Sequence, residues 1–505
     1  MIMTRETDAL KPENADLIAI LQEMCTTVRE AAHNGTAIHE VERAVWQQIL
    51  KMGHTLLGEF LGLLGQGDMG ESLTLPDGRV GQRLDDLHSR RYVSIFGVFQ
   101  LERVAYGSRE GQKINFVPLD NRLQLPEGAF SYLLQDWDQG FCVEAAFGQA
   151  GRTIERMLGL KQSVDTLERM NAQMAELVDD YRAERVLPKA AEEGEILVSS
   201  ADGKGVVMRR QEGEQAPPTH RTKGDKASRK EMAIVGAVYT VDRHVRTAEE
   251  VVAALFGDPR EQPPAPRPKP CHKQTMANLA STDAEGTHSG IEKTYQWLLE
   301  EIWARNHGFQ KEMAHLCDGQ ETLWEARQRH LPQRNMTDIL DLLHVTPRLW
   351  QAAHVFYREK SQEAEQFIRE RLLKVLKGDV ELVIRGLREM ATKRHLTGPK
   401  KATLAKICAY FQNNRQRMRY DEYLAKGYPI ASGVIEGACR HLVKDRMERA
   451  GMHWTRAGAQ AMLDVRSIHI NGDWEQYQTF RIERETTRQY PWREAVAGEN
   501  YTLAA

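Results

Sequence analysis

The chain has 505 residues, enough for about three domains at roughly 100–200 residues each. Its 41% hydrophobic and 28% charged residues exclude both an acidic disordered tail and a membrane bundle. Lys and Arg number 68 against 71 Asp and Glu, a net charge of -3, which excludes nucleic-acid binding by a globally basic surface and leaves only local basic patches for that purpose.

No apolar run approaches the roughly 20 residues that span a bilayer, and the best stretch, GHTLLGEFLGLLG, is broken by glycines and Glu59, so no membrane partner is expected. The opening MIMTRETDALKPENADL lacks the apolar core of a signal peptide. The six cysteines are scattered without a CxxC pair, which argues against a disulfide framework and against a cysteine zinc site. The expectation is a reduced, cytoplasmic protein.

Residues up to about 66 read as helical, because Ile38, Val41, Val45 and Ile49 recur every three or four positions on one face, the pattern of a core helix or a dimer helix. At 91–106, RYVSIF and VFQLERVAY flank Gly97 and predict a β-hairpin. From Phe141 to Met174 the expectation is helix, Gly151, helix, Gly159, and a third helix capped by Ser163. Val164, Leu167, Met170 and Met174 would face inward and Arg169, Asn171 and Gln173 outward. That pattern fits a helix-turn-helix with its last helix in a major groove, and equally a plain helical connector.

After a Glu- and Ala-rich stretch at 183–195, ILVSSADGKGVVM predicts two strands joined by a Gly-rich turn, and EMAIVGAVYTVD a third. Between them RRQEGEQAPPTHRTKGDKASRK reads as a solvated hairpin tip, and EQPPAPRPKP as a proline-rich linker or surface loop. SGIEKTYQWLLEEIWARNHG predicts a capped helix, HLCDG a short strand ending in an acid, and 346–427 an almost wholly helical region. YPIASGVIEGACRHLVKDRMERAG turns through Pro429 and Gly433 into a further helix.

Three carboxylates stand out by context. Asp202 and Asp318 each follow a strand and precede a glycine, and Glu436 lies in the first turn of the helix after SGVI. Each by itself also reads as a turn residue or a cap. Acids at strand ends and at a helix start can converge above a sheet, where oxygen donors suit Mg²⁺ or Mn²⁺.

The order strand-Asp, hairpin, strand, helix, strand-Asp-Gly, helical insertion and G-x-x-E on a helix resembles the ribonuclease-H-like catalytic core of DDE transposases. The wording YPIASGVIEGACRHLVKDRMERAGMHWTRAGAQAML, with SSADGK, LCDGQETLW and FQNNRQRMRYDEYLAKGYP, resembles the Kra-type bacterial insertion-sequence transposases, related in architecture to the Mutator-like group. The match runs from about residue 90 to 480.

The resemblance implies that Asp202, Asp318 and Glu436 bind two catalytic Mg²⁺ or Mn²⁺ ions. It also implies binding of double-stranded DNA, both terminal inverted repeats and target, by a homodimer or higher oligomer. The acids are spaced by 116 and 118 positions, so the second interval must hold an inserted domain. Asp341 and His344 in DILDLLHV resemble the [Cys or Asp]-x-x-His motif of Mutator-like relatives, which implies an active-site or scaffold role; His344 also reads as a satisfied core histidine.

Two features depart from the family. Ala431-Ser432-Gly433 stands where Gly-Ser-Gly is usual, and AYGSREGQ stands where some relatives carry a cysteine pair, so an N-terminal zinc ribbon is not expected.

Arg440 to Arg456 holds five Lys and Arg against Asp445 and Glu448. Arg440 and Lys444 follow Glu436 at i+4 and i+8, so they, with Arg446, would meet phosphates, unless they form a salt-bridged solvated face. Trp454 would stack on a base or pack internally.

The expected fold class is thus α/β. It comprises an N-terminal helical region (1–90), a β-hairpin with a candidate helix-turn-helix (91–190), a core in two parts (191–345 and 428–480) around an all-α insertion (346–427), and a tail (481–505). The expected activity is transposition; the rivals are a nuclease without strand transfer and a transposase-derived DNA-binding regulator.

Overall fold

The computed structural model describes residues 15–75, 77–107, 116–210, 230–259, 266–283, 286–449 and 451–496. They form two compact units, Met1–Gln173 with Glu475–Ala505, and Met174–Trp474.

The first unit opens with α1 (Ala15–His33) and α2 (Ile38–Leu63), joined along their length by Glu23–Lys51 and Thr27–Gln48 contacts. The expected core face on α2 is not enclosed: no residue of α2 is buried, and Ile38 is 72% exposed. Two helices cannot cover an apolar face without a further layer. A further layer is met in part: Leu50 packs on Val93, Leu134 and Ile154, and Leu57 and Leu61 on Phe99, Leu101 and Leu125.

Next come β1 (Ser72–Thr74), β2 (Val80–Arg83), β3 (His88–Ser94), β4 (Gly97–Arg103) and β5 (Tyr106–Gly107). β3 and β4 form the expected hairpin, with Gly97 at φ 132 supplying a backbone conformation that L side chains rarely adopt. β1 and β2 of the small sheet β1-β2-β5 were not expected from the sequence, and Tyr106, read as the end of the hairpin's second strand, belongs to β5 instead.

Four helices follow: α3 (Pro118–Leu123), α4 (Tyr132–Glu144), α5 (Phe147–Leu158) and α6 (Val164–Ala175). Gly159 ends α5 in the left-handed region and the Ser163 hydroxyl accepts from Thr166 N–H, as expected. The first break falls at Ala145–Ala146 instead of Gly151, which lies buried inside α5.

The second unit contains α7 (Val178–Glu184), β6 (Ile196–Val207), β7 (Lys230–Val241), α8 (Ala248–Phe256), β8 (Cys271–Asn278), the short pair β9 (Ser281–Asp283) and β10 (Gly286–His288), α9 (Gly290–Arg305), β11 (Met313–Cys317), α10 (Glu321–His330) and β12 (Met336–Leu340). Its five-stranded sheet has the order β12-β11-β6-β7-β8, with β6 parallel to β11, β11 parallel to β12, and β6-β7-β8 antiparallel.

ILVSSADGKGVV is therefore one strand and not two. β7 pairs with all twelve of its residues, placing Gly203 opposite Ile234 and Gly205 opposite Met232, and that ladder carries the backbone straight through both glycines. The hairpin tip at 211–229 and residues 261–265 of the proline-rich segment lie outside the described residues.

Helices α11 (Leu342–Phe356), α12 (Gln362–Leu376), α13 (Val380–Lys393), α14 (Gly398–Asn414) and α15 (Tyr420–Ala425) make the helical region. They cover one face of the sheet, where Ile196 and Val198 point, while Tyr295, Leu298 and Ile302 of α9 and Leu323 and Trp324 of α10 cover the other, where Leu197 and Ala201 point. The unit ends with α16 (Gly433–Ala438), a π-helical turn (Cys439–Lys444), α17 (Asp445–Met447) and α18 (Arg456–Asn471); α19 (Trp474–Gln489) follows. Among the described residues no helix is long and apolar enough to cross a membrane.

Candidate active site

Strand register brings the first two acids together. Cys317 is level with Ala201 on the neighbouring parallel strand and with Leu340 on the other side, so Asp202, Asp318 and Asp341 follow at the same level of the sheet. Asp318 and Asp341 lie just beyond their strands; Asp202 lies within β6, which runs on past the carboxyl end of β11.

The Asp318 carboxyl is held above the usual carboxylate range, first by burial and then by the Asp202 charge, against the opposing Gln320 N–H bond and the nearby His344 and Arg348. Its Oδ1 accepts from Gln320 N–H at 2.9 Å.

Glu436 arrives from the other side. Its helix α16 begins at Ser432, whose hydroxyl accepts from Ile435 N–H at 3.3 Å and lies 3.2 Å from Ser200 Oγ on β6. The Ser432 N–H donates to Asp341 Oδ2 at 3.2 Å, while Asp341 Oδ1 caps α11 by accepting from Leu343 N–H at 2.8 Å. Asp341 is buried, and that burial raises its pKa; the bonds from Leu343 and Ser432 N–H and the nearby His344 act against the rise, while Glu436 adds to it.

His344, one turn into α11, places Nε2 3.3 Å from Glu436 Oε1. The Cys439 thiol, at the start of the π-helical turn, donates to Asp202 Oδ2 at 3.4 Å. Burial first, then Asp202 and Glu436, push that thiol far up, so it stays protonated.

Among the described residues, Asp202, Asp318, Asp341 and Glu436 have no ion pair with a Lys or Arg side chain. Carboxylates without such partners are the donor chemistry of a hard divalent cation. In the present side-chain arrangement, no three His, Cys, Asp or Glu groups among the described residues meet around a single point.

A cleft of about 930 Å³ opens beside Asp318 and runs along α11 past His344, Arg348 and Trp350 to His354. Tyr410 of α14 lies over Gly319, where any side chain would overlap its ring, so a glycine after the acid is required by packing. Arg348 stacks 5.1 Å from the Tyr410 ring centroid.

The predicted DNA-facing residues divide. Arg169, Gln173, Arg440 and Lys444 are exposed. Asn171 is buried, its amide donating to Gln139 Oε1 at 3.0 Å, so the outward face expected of α6 is narrower by one residue. Arg446 is fully buried with its guanidinium 5.0 Å from the Trp454 ring centroid, and Trp454 donates its indole N–H to Met447 O at 3.2 Å. Trp454 also bridges to Met208 beyond β6, and with both side chains buried the Arg446–Trp454 stack is an internal contact, which corrects the expectation that Arg446 meets phosphates.

Sequence reasoning missed Ser200, Ser432 and Cys439, which orient the acids, and Arg348 and Tyr410, which line the cleft. Ser432 had a signal, as a cap ahead of an acid in the first helical turn; the others became visible only through tertiary contacts.

No family model matches the chain, and no curated protein matches it. Among solved structures it is similar to the Drosophila P element transposase strand transfer complex, at 11% sequence identity and a TM-score of 0.22, over 74% of this chain and 83% of that one. A score that low does not define a shared fold, so the site must be read from its own geometry.

Proposed function

We propose that the chain is a DDE transposase with a ribonuclease-H-like core, which binds the terminal inverted repeats of an insertion sequence and catalyses strand cleavage and strand transfer. The observation that carries this reading is Asp202 level with Asp318 on adjacent parallel strands, with Glu436 reaching the same region through His344 and Cys439. The order β6, β7, β8, α9, β11-Asp, helices and α16-Glu follows the element order of the resemblance, with α8 added between β7 and β8 and α10 and β12 after Asp318.

Asp202, Asp318 and Glu436 would hold two Mg²⁺ or Mn²⁺ ions. When bound, such ions make water or a DNA 3′-hydroxyl a better nucleophile and neutralise charge at the leaving oxygen. His344 orients the Glu436 carboxylate, and Asp341 fixes the start of its helix through the Ser432 backbone. Cys439, kept protonated, donates to Asp202 and offers no nucleophile. Arg348, in the cleft beside Asp318, is placed to meet a phosphate. Because both element ends are processed together, a dimer or higher oligomer is expected.

The test pairs a gel shift and an end-cleavage assay on wild type and Glu436→Gln, using DNA ends taken from the gene's own flanks. Binding should survive while cleavage and strand transfer fall by orders of magnitude, with no change in Tm. A folded variant that cuts and joins as well as wild type would remove Glu436 from the site. Wild type that binds the ends but cuts with no divalent ion would make the chain a regulator, and cleavage without joining would make it a nuclease.

A further inference from the structure

Charge is distributed very unevenly along this chain. Residues 346–427 hold 18 Lys and Arg against 9 Asp and Glu, whereas the rest of the chain holds 50 against 62. The helical region is thus basic inside a protein of net charge -3.

Its helices use that charge differently. On α12, Arg369 pairs with Asp258 and Glu365, and Lys377, at its carboxyl end, pairs with Glu249. On α13 and α14, Arg385, Arg388, Lys393, Lys400, Lys401 and Lys406 are exposed, and none is in an ion pair among the described residues.

Two of these charges also oppose local helix electrostatics. Lys400 and Lys401 sit in the first turn of α14, which has no acid there and no side-chain cap. Cations at that end of a helix are disfavoured by its dipole, so folding alone does not account for them.

A groove of about 690 Å³ lies between α13 and α14, lined by Arg385, Arg388, Lys393 and Arg415, with Glu381 and Glu389 among them; Glu381 is 3.2 Å from Arg415. Further along α14, Tyr410 covers Gly319 beside Asp318. Lys400 and Tyr410 are ten residues apart, about 15 Å along a helix axis. The basic helix therefore ends at the acid cluster.

We propose that the α13–α14 surface is a phosphate-backbone track for duplex DNA, which leads the strand toward Asp202, Asp318 and Glu436. The proposal rests on the nucleic-acid reading of the site. It assigns general duplex affinity to the helical region, in addition to whatever selects the element ends.

The experiment measures binding of a 30-base-pair duplex of arbitrary sequence to the full chain by fluorescence anisotropy across a salt series, in chelator. Wild type is compared with a variant carrying Arg385→Gln, Lys393→Gln, Lys400→Gln, Lys401→Gln and Lys406→Gln, all at exposed positions, and with Arg440→Gln/Lys444→Gln. The expected result is a loss of at least tenfold in affinity for the first variant, with a salt slope shallower by about 0.9 for each phosphate that the variant leaves unneutralised.

If wild type binds duplex and the five-fold variant binds it with the same affinity and slope, the track is refuted while the transposase reading stands. If wild type binds no duplex at any salt, both fall. If wild type prefers poly-glutamate to duplex, the surface serves an acidic protein and the proposal is overturned.

Discussion

Two groups of carboxylates in the second unit are treated in opposite ways by the fold. Glu193, just ahead of β6, is clamped by Arg305 through two 2.7 Å bonds with both side chains almost fully buried; Glu301 is held by Arg185 at 2.6 Å and Asp338 by Arg327 at 2.6 Å. For Glu193, burial pushes the pKa up, but the bonds from Arg305 and Thr240 outweigh it and leave the carboxyl below its ordinary value. At the other group, Asp318 and Asp341 are also withdrawn from water but receive only N–H bonds and lie near other acids, so both are raised. A fold that supplies arginine partners to Glu193, Glu301 and Asp338 gives Asp318 and Asp341 no ion pair with Lys or Arg among the described residues, only the nearby His344 and, for Asp318, Arg348.

The largest effect expected from this contrast is at the clamped acids. Arg305→Ala would leave Glu193 buried without its partner and should destabilise the protein by about 3–5 kcal/mol, read by denaturant unfolding. Because the Glu193 pKa is lowered by folding, its stabilising contribution is present above the unfolded carboxylate range and lost as pH falls through the folded value. Asp202→Asn should cause no such loss. A comparable destabilisation there would mean that the acid cluster is structural.

An intermediate case lies in the first unit. Asp138 is fully buried, with both oxygens 2.7 Å from the Gln162 amide nitrogen, and burial raises its pKa to about 7 despite that hydrogen bond. A raised folded value means that its stability contribution is complete below the unfolded carboxylate range and is lost as pH rises through about 7. Wild-type Tm should therefore fall between about pH 4 and about pH 7 and level off above that, and Asp138→Asn should flatten the fall. An unchanged slope in the variant would show that another group controls it.

The smallest effect belongs to the cluster itself. Asp318 is raised, so its ionised form is disfavoured by the fold at neutral pH. Asp318→Asn keeps an acceptor for Gln320 N–H and should raise Tm by roughly 1–3 °C in chelator while abolishing metal-dependent cleavage. A lower Tm would place Asp318 with the clamped acids and end the contrast.

Much of this was legible from residue order. The strand that ends before Asp318 and Gly319, the capped α9, the helical run after 346 and the β3–β4 hairpin all follow from local pattern, because apolar period and turn residues act within a few positions. Gly159 ended α5 and Ser163 opened α6 for the same reason. The buried Asn171 shows the limit: exposed by helical period, it is drawn inside by Gln139, 32 residues earlier.

The sequence by itself determined which acids were candidates and that a helical insertion separates the last two. Only the tertiary structure decided that β6 runs unbroken through Gly203 and Gly205, since the ladder to β7 outweighs the turn tendency of glycine. It alone set Asp202 level with Asp318 and seated Glu436 through Ser432, His344 and Cys439. It also buried Arg446 against Trp454 while leaving Lys400 and Lys401 unpaired in solvent. The reason is physical: whether a charge is compensated depends on partners a few ångströms away in space that can lie more than a hundred positions away in the chain, as Arg305 does from Glu193.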